Sequence, residues 1–164
     1  MLWLLVLLAA TSAAPDDPLA EVVSSAEVRA ALRDAEARRE RFVDEWIRIA
    51  QIPAPSGAEG ERAAHLEERF RAAGFSGVAR DAAGNVLALL AGRDPDLKRV
   101  AFVAHLDTVA PADADHTVRR RPEGRLEGPG VRDDSSGLAG LLAAAELMKR
   151  HRLVPPADTW FVAS

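Results

Sequence analysis

Apolar residues fill positions 1–10 without a break, recur at helical spacing further on, and from residue 77 condense into short blocks bounded by Gly, Pro and Asp. Val28, Leu32, Ala35, Phe42, Trp46 and Ile49 follow a helical period, which predicts one or two amphipathic helices between Ala26 and Ala50. Pro53 and Pro55 then interrupt the pattern. Ser56 followed by Glu59 reads as a capping box that opens the next helix. Ala63, Leu66, Phe70 and Ala73 give that helix its apolar face, and Gly74 suits the position just past its end. His65 lies off this face, near Glu61 and Glu68, and reads as a surface histidine.

From Gly77 the period changes. VARDAAGNVLALLAG reads as strand, turn and strand, with the turn at Gly84-Asn85. Pro95 and Asp96 mark a loop, after which Val100–Ala104 forms a strand that stops at His105. Residues 111–130 are loop-rich, with short extended pieces expected at 117–119 and 125–126. Ser135 or Ser136 is expected to cap a further helix buried along Leu138, Leu141, Leu142, Ala145 and Met148. Lys149, Arg150, His151 and Arg152 favour its C-terminal end through the helix dipole, and Pro155-Pro156 stops it. DTWFVAS reads as a last strand. The alternation predicts an α/β fold, a mixed and largely buried sheet sandwiched by helices, over residues 26–164.

Composition narrows the function. A net charge of -4 disfavours a nucleic-acid partner. The short runs Arg38-Arg39 and Arg119–Arg121 sit among acids or loop residues and read as solvated surface. With no cysteine, disulfides and thiolate metal sites are excluded, and any metal must be held by His, Asp and Glu. Residues 1–14, MLWLLVLLAATSAA, fall short of the roughly 20 apolar residues of a membrane span. They have the length and the small-residue ending of a signal peptide, with 15–25 as a linker. An exported protein, periplasmic or secreted, with no membrane span after cleavage is the expectation; an uncleaved anchor is the alternative.

Two short stretches carry candidate chemistry. In an extended His105-Leu106-Asp107, residues i and i+2 face the same side, so Asp107 can accept one imidazole N–H. That fixes the tautomer and leaves the other nitrogen as a metal ligand. A purely structural His–Asp pair at a strand end is the plainer alternative. GPGVRDDSSGLAG places Asp133 and Asp134 side by side after a Gly-Pro-Gly loop and before a helix. Adjacent carboxylates repel unless a cation compensates; an acid pair favoured by the helix dipole is the alternative. His116 follows Asp113 and Asp115, but that spacing matches no common metal site, and His151 reads as a helix-end group.

HLDTV and GPGVRDDSSGLAG stand together with IPAPSGAEGERAAHL, GFSGVARDAAGNVLALLAG and WFVAS. Taken together, Arg41 to Ser164 resembles the zinc-dependent exopeptidase and amidohydrolase family that includes glutamate carboxypeptidase, aminoacylase, tripeptide aminopeptidase and succinyl-diaminopimelate desuccinylase. The resemblance implies a di-zinc hydrolase acting on a small peptide or N-acyl amino acid. His105 and Asp133 would be metal ligands, with Asp133 bridging both zincs. Asp107 would serve catalysis by orienting His105, and the Asp133-Asp134 peptide bond would be cis. Cobalt or manganese could replace zinc. The resemblance also implies that this chain is the N-terminal portion of the catalytic domain, before a lid and dimerisation domain. The glutamate base and the remaining ligands would then lie elsewhere, leaving this portion inactive by itself and a weak binder of zinc. The full-length form would be a homodimer.

Ser135-Ser136 stands where many members of that family carry Lys-Gly, so the substrate subgroup stays open between aminopeptidase, carboxypeptidase and N-acyl hydrolase. A related aminopeptidase family also uses His-x-Asp and an Asp before a helix; the Thr-Val after Asp107 and the Gly-Pro-Gly before Val131 favour the first family. A non-enzymatic secreted protein that keeps the fold without a complete site is the reading from another class.

Overall fold

The structure, a computed structural model, describes residues 18–164. The apolar segment 1–14, read above as a signal peptide, lies outside the described residues. Five helices precede or cross a small mixed sheet: α1 (Pro18–Ser24), α2 (Ala26–Ala37), α3 (Arg39–Gln51), α4 (Gly60–Ala72) and α5 (Ser135–Arg150). The strands are β1 (Ala79–Arg80), β2 (Val86–Leu90), β3 (Val100–Ala104), β4 (Arg119–Arg120), β5 (Leu126–Glu127) and β6 (Thr159–Ala163). Residues 18–24, expected within a linker, are thus helical. Among the described residues no helix is long and apolar enough to cross a membrane.

The main sheet has the order β1-β2-β6-β3. β1 and β2 form the hairpin expected around Gly84-Asn85, β2 pairs antiparallel with β6, and β6 pairs parallel with β3. A parallel neighbour needs a crossover, and α5 is that crossover, so β3, α5 and β6 form one βαβ unit. β4 and β5 make a separate two-stranded ribbon in the long loop before α5.

Register decides which residues meet the helices. Val86 opposes Ala163, Ala88 opposes Phe161, and Ala104 also opposes Ala163, all on one face. These five are buried in one cluster with Leu66 and Phe70 of α4 and Leu138, Leu142 and Ala145 of α5. The Phe75 ring meets both Phe70 and Phe161 edge-on, with ring centroids 5.8 Å apart in each pair. Such contacts add roughly 0.5–1.5 kcal/mol beyond the area they bury. α3 lies outside α5 as a further layer.

The opposite face carries Leu87, Leu89, Ala101, Val103, Trp160 and Val162, none of which belongs to the buried cluster. Among the described residues the buried cluster therefore lies on one face of the sheet, while the other face is half-buried along β2 and β6 and open along β3. β3 is an edge strand, with Phe102 52% and Val103 62% exposed, so the apolar run that reads as a buried strand is open to solvent here.

Helix ends bring two further differences. α5 is capped by Asp134, whose side chain accepts from Gly137 N at 3.0 Å, and not by Ser135 or Ser136. Ser135 is instead the first helical residue and fully buried. α4 begins after Glu59, and Ser56 makes no cap bond to it. The arginine runs behave as expected of solvated surface: Arg38 pairs with Asp34, Arg119 with Asp115, Arg120 with Glu40 and Asp44, and Arg121 with Glu127.

Candidate metal centre

β3 delivers His105 to the carboxyl end of the sheet, where sites form in open α/β folds. The chain stays extended beyond it: Leu106 N donates to Ser164 O at 2.5 Å, and Thr108 N donates to Ala54 O at 2.8 Å. An extended tip puts residues 105 and 107 on one side, and the imidazole Nδ1 lies 2.9 Å from Asp107 Oδ1.

The second arm arrives from the loop before α5. Gly130 has φ +61, and a Cβ there would stand 2.9 Å from Thr108 Oγ1, so only glycine lets the loop lie this close to the strand tip. Trp46 Nε1 of α3 donates to Val131 O at 2.6 Å and holds the loop from the other side. Asp133 is thereby brought to the imidazole, with its Oδ1 2.9 Å from His105 Nε2. The Asp133-Asp134 peptide bond is cis. Asp134 does not face the same point: its Oδ2 accepts from His105 N at 3.2 Å while its Oδ1 caps α5.

His105 therefore has a carboxylate at each ring nitrogen. Its burial opposes the charged form, but the bonds to Asp133 and Asp107, helped by the charges of Asp134 and Asp107, hold it above the ordinary histidine range. The Ser56 hydroxyl, 2.5 Å from Asp107 Oδ2, is the main reason the Asp107 carboxyl sits low; burial opposes, and the imidazole adds to the lowering. Arg62 of α4 is fully buried beneath the tip. Its Nη1 donates to Leu106 O at 2.8 Å and its Nη2 to Ile52 O at 2.6 Å. Burial disfavours its charge, and the negative charge of Asp107 opposes that loss.

The donor set suits a divalent cation. Nε2 and Asp133 Oδ1 converge on each other through a single shared proton, and a cation taking that proton's place would be bonded by an imidazole nitrogen and a carboxylate oxygen. Nδ1–H would still donate to Asp107, as metal-bound histidines commonly require. Asp133 is 86% exposed on its side chain, so its carboxylate is free to face a ligand. Among the described residues no third His, Asp or Glu completes a cluster with this pair.

The other histidines are engaged elsewhere. His116 is buried, with Nε2 2.9 Å from Pro111 O, and takes no part in a cluster with Asp113 and Asp115. His151 lies 3.0 Å from Asp34 and ties α5 to α2. His65 is half-buried against Glu45 of α3 at 2.6 Å, so its partner is neither Glu61 nor Glu68, and it is not a free surface group.

Sequence reasoning thus found His105, Asp107, Asp133 and Asp134 as a set, but missed Ser56 and Arg62. Ser56 carried a signal that was misread: a hydroxyl three residues before Glu59 matched a local cap pattern, while its partner lies 51 residues away. Arg62 carried the better clue, a charge four residues before the apolar Leu66 and so on the same face of the helix.

Residues 85–164, just under half of the chain, match the model of peptidase family M28. No curated protein matches the sequence. Among solved structures, a tripeptidase from Staphylococcus aureus subsp. aureus Mu50 is similar with TM-score 0.63 and 23% identity, over 76% of this chain and 36% of that one. Human carnosine dipeptidase 1 gives TM-score 0.69 and 19% identity, over 85% of this chain and 35% of that one. A dinuclear metal binding peptidase from the M20 family, of Bacillus subtilis, gives TM-score 0.58 and 15% identity, over 78% and 35%. The chain spans about a third of the length of these structures. Its fold is that of the N-terminal portion of M20- and M28-type peptidase catalytic domains.

Proposed function

We propose that this chain contributes His105, Asp107 and Asp133 to the active site of a metal-dependent hydrolase that cleaves a peptide or N-acyl amide bond, with zinc as its metal and two ions in the complete site. One observation carries the reading: the Nε2 of His105 and a carboxylate oxygen of Asp133 converge at 2.9 Å while Asp107 holds the other ring nitrogen. The match to an M28 peptidase model and the likeness to a dinuclear metal binding peptidase support it.

The roles follow from the contacts. His105 presents Nε2 as a neutral ligand, because Asp107 keeps the remaining ring proton on Nδ1. Asp133 offers an exposed carboxylate with two oxygens, the group suited to bridging two cations. Asp134 holds the backbone of His105 in place and leaves Asp133 to face the metal. When bound, the metal supplies Lewis acidity, polarising the scissile carbonyl and acidifying water. Catalytic zinc usually takes three protein ligands, and two are found among the described residues. The 164-residue chain by itself is accordingly a weak zinc binder without amide hydrolase activity; a homodimeric complete enzyme is a separate part of the same proposal. Export through residues 1–14 belongs to the same proposal; sequencing the amino terminus of the mature protein checks it.

Calorimetric titration with Zn2+ tests the site. His105→Ala and Asp133→Ala should each lower the chain's affinity for Zn2+ by tenfold or more, given that each removes one of two direct ligands. Unchanged affinity in both variants overturns the assignment. Chelator-sensitive cleavage of a dipeptide by the pure chain overturns its inactivity.

A further inference from the structure

We infer that Ser56 and Arg62 are positioning residues that lock the His105–Asp107 pair in its ligand-presenting geometry; its consequence for metal binding rests on the function proposed above. Neither residue is explained by its own element. Ser56 sits in the turn after α3, where a serine would ordinarily bond nearby backbone. Its hydroxyl instead donates to Asp107 Oδ2 at 2.5 Å, while Asp107 Oδ1 faces the imidazole at 2.9 Å. A carboxylate held at one oxygen can swing about its terminal torsion; held at both, it cannot. The plane of the Asp107 carboxylate, and through it that of the ring, is therefore set by Ser56.

Arg62 fixes the backbone beneath that pair. Burying a guanidinium is costly unless its donors are paired, and an apolar residue would fill a core-facing helix position without that cost. Its Nη1 and Nη2 are paired, to two carbonyls, while Nε is buried without a partner; those two bonds are what the position supplies. Leu106 O belongs to the residue between His105 and Asp107, and Ile52 O to the residue that ends α3. The planar fork bridges the two segments, which a lysine ammonium cannot do with the same geometry. A strand tip at the end of a sheet is free to twist; this one is fastened from below by Arg62 and from the side by Ser56. Asp107 also opposes the loss of charge on buried Arg62, so the two anchors converge on one carboxylate.

The test uses the 164-residue chain, Co2+ as a coloured probe, and the proton on His105 Nδ1 as a metal-free reporter. In the unmodified chain, NMR at fixed neutral pH should show that proton shifted downfield and slow to exchange, because Asp107 is fixed as its acceptor. Ser56→Ala should lose this signal to exchange and weaken Co2+ binding about tenfold or more, with an altered visible spectrum. Ser56→Thr, which keeps the hydroxyl, should restore both. Arg62→Lys, which keeps the charge without the fork, should shift the same imidazole signal and weaken Co2+ in the same direction. If Ser56→Ala leaves both the signal and the Co2+ spectrum as they were, the role of Ser56 is overturned. If Arg62→Lys lowers only the melting temperature, Arg62 is a packing residue and its role here is overturned. If Co2+ binds the chain and its His105→Ala variant alike while the imidazole signal still depends on Ser56, the metal reading falls and the positioning stands.

Discussion

Two carboxylates that are adjacent in the chain do different work because their oxygens reach different partners. Asp133 turns outward to the imidazole edge, while Asp134 turns inward to Gly137 N and His105 N. Asp134 can do so because residue 137 has no side chain: a Cβ there would lie 2.1 Å from Asp134 Oδ1. Gly137→Ala should therefore expel the Asp134 carboxylate from its place, cost about 1 kcal/mol through the lost cap, and loosen the His105 backbone. Urea denaturation gives the first effect and amide exchange at His105 the second; a variant as stable as the parent would show that the cap can re-form around a methyl group. The two pairs were legible in the sequence, because His105-Leu106-Asp107 and Asp133-Asp134 each declare themselves over a few residues; the cap was not, since Ser135 and Ser136 offer the same local signal as Asp134. Ser56 was not, since a hydroxyl's partner across 51 residues leaves no periodic trace.

At the scale of elements, α3, α4 and α5 are joined by a chain of charges as well as by their apolar faces. Glu45 of α3 meets His65 at 2.6 Å and Arg69 at 3.2 Å, both from α4. Glu146 of α5 meets Arg41 of α3 at 2.5 Å and approaches Arg69 at 3.9 Å. Burial alone would raise the Glu45 carboxyl, but the bond from His65 and the charges of Arg69, His65 and Arg48 outweigh it and hold it below its ordinary value of 4.5. A folded-state pKa below the unfolded one means that Glu45 stabilises the fold above the ordinary glutamate range and loses that contribution as pH falls through the folded value. Glu45→Gln should thus destabilise at neutral pH, by about 1–3 kcal/mol for a hydrogen-bonded charge, and flatten the acid limb of stability against pH. Parallel acid limbs for the two proteins would sink this account. The periodicity of apolar residues placed α2, α3, α4 and α5 and the buried stripes of α4 and α5; on α2 it chose Leu32, which is 55% exposed, where Ala31 is the buried residue. It could not place His65, which lies off the apolar stripe and is claimed by a neighbouring helix; sequence spacing shows partners on the same helix, and the true one came from another.

Viewed whole, the molecule is one-sided. Helices cover the face of the sheet that holds Phe161 and Ala88; on the other face Trp160 and Val162 are half-buried and Val103 of β3 is 62% exposed. β3 is an unpaired apolar edge of the kind that templates association between chains. The 164-residue chain should self-associate as its concentration rises, and Val103→Lys, a charge on that edge, should shift it toward monomer. Light scattering coupled to size-exclusion chromatography decides; a parent chain that stays monomeric at all concentrations counts against the exposed edge as a sticky surface.

The carboxylate of Asp134 has a consequence for how such a site can vary. It ties the residue that follows β3 directly to the first turn of α5, so the distance between His105 and Asp133 is set by a strut and not by the path of the chain between them. Residues 111–127, with the β4–β5 ribbon, take no part in that strut; they are held separately, by Val118 N to Gln51 and Arg120 to Glu40 and Asp44 of α3. Changes there leave the Asp134 strut between His105 and Asp133 in place. A scaffold wired in this way separates what must stay constant from what is free to drift, and leaves an adjustable rim around a fixed pair.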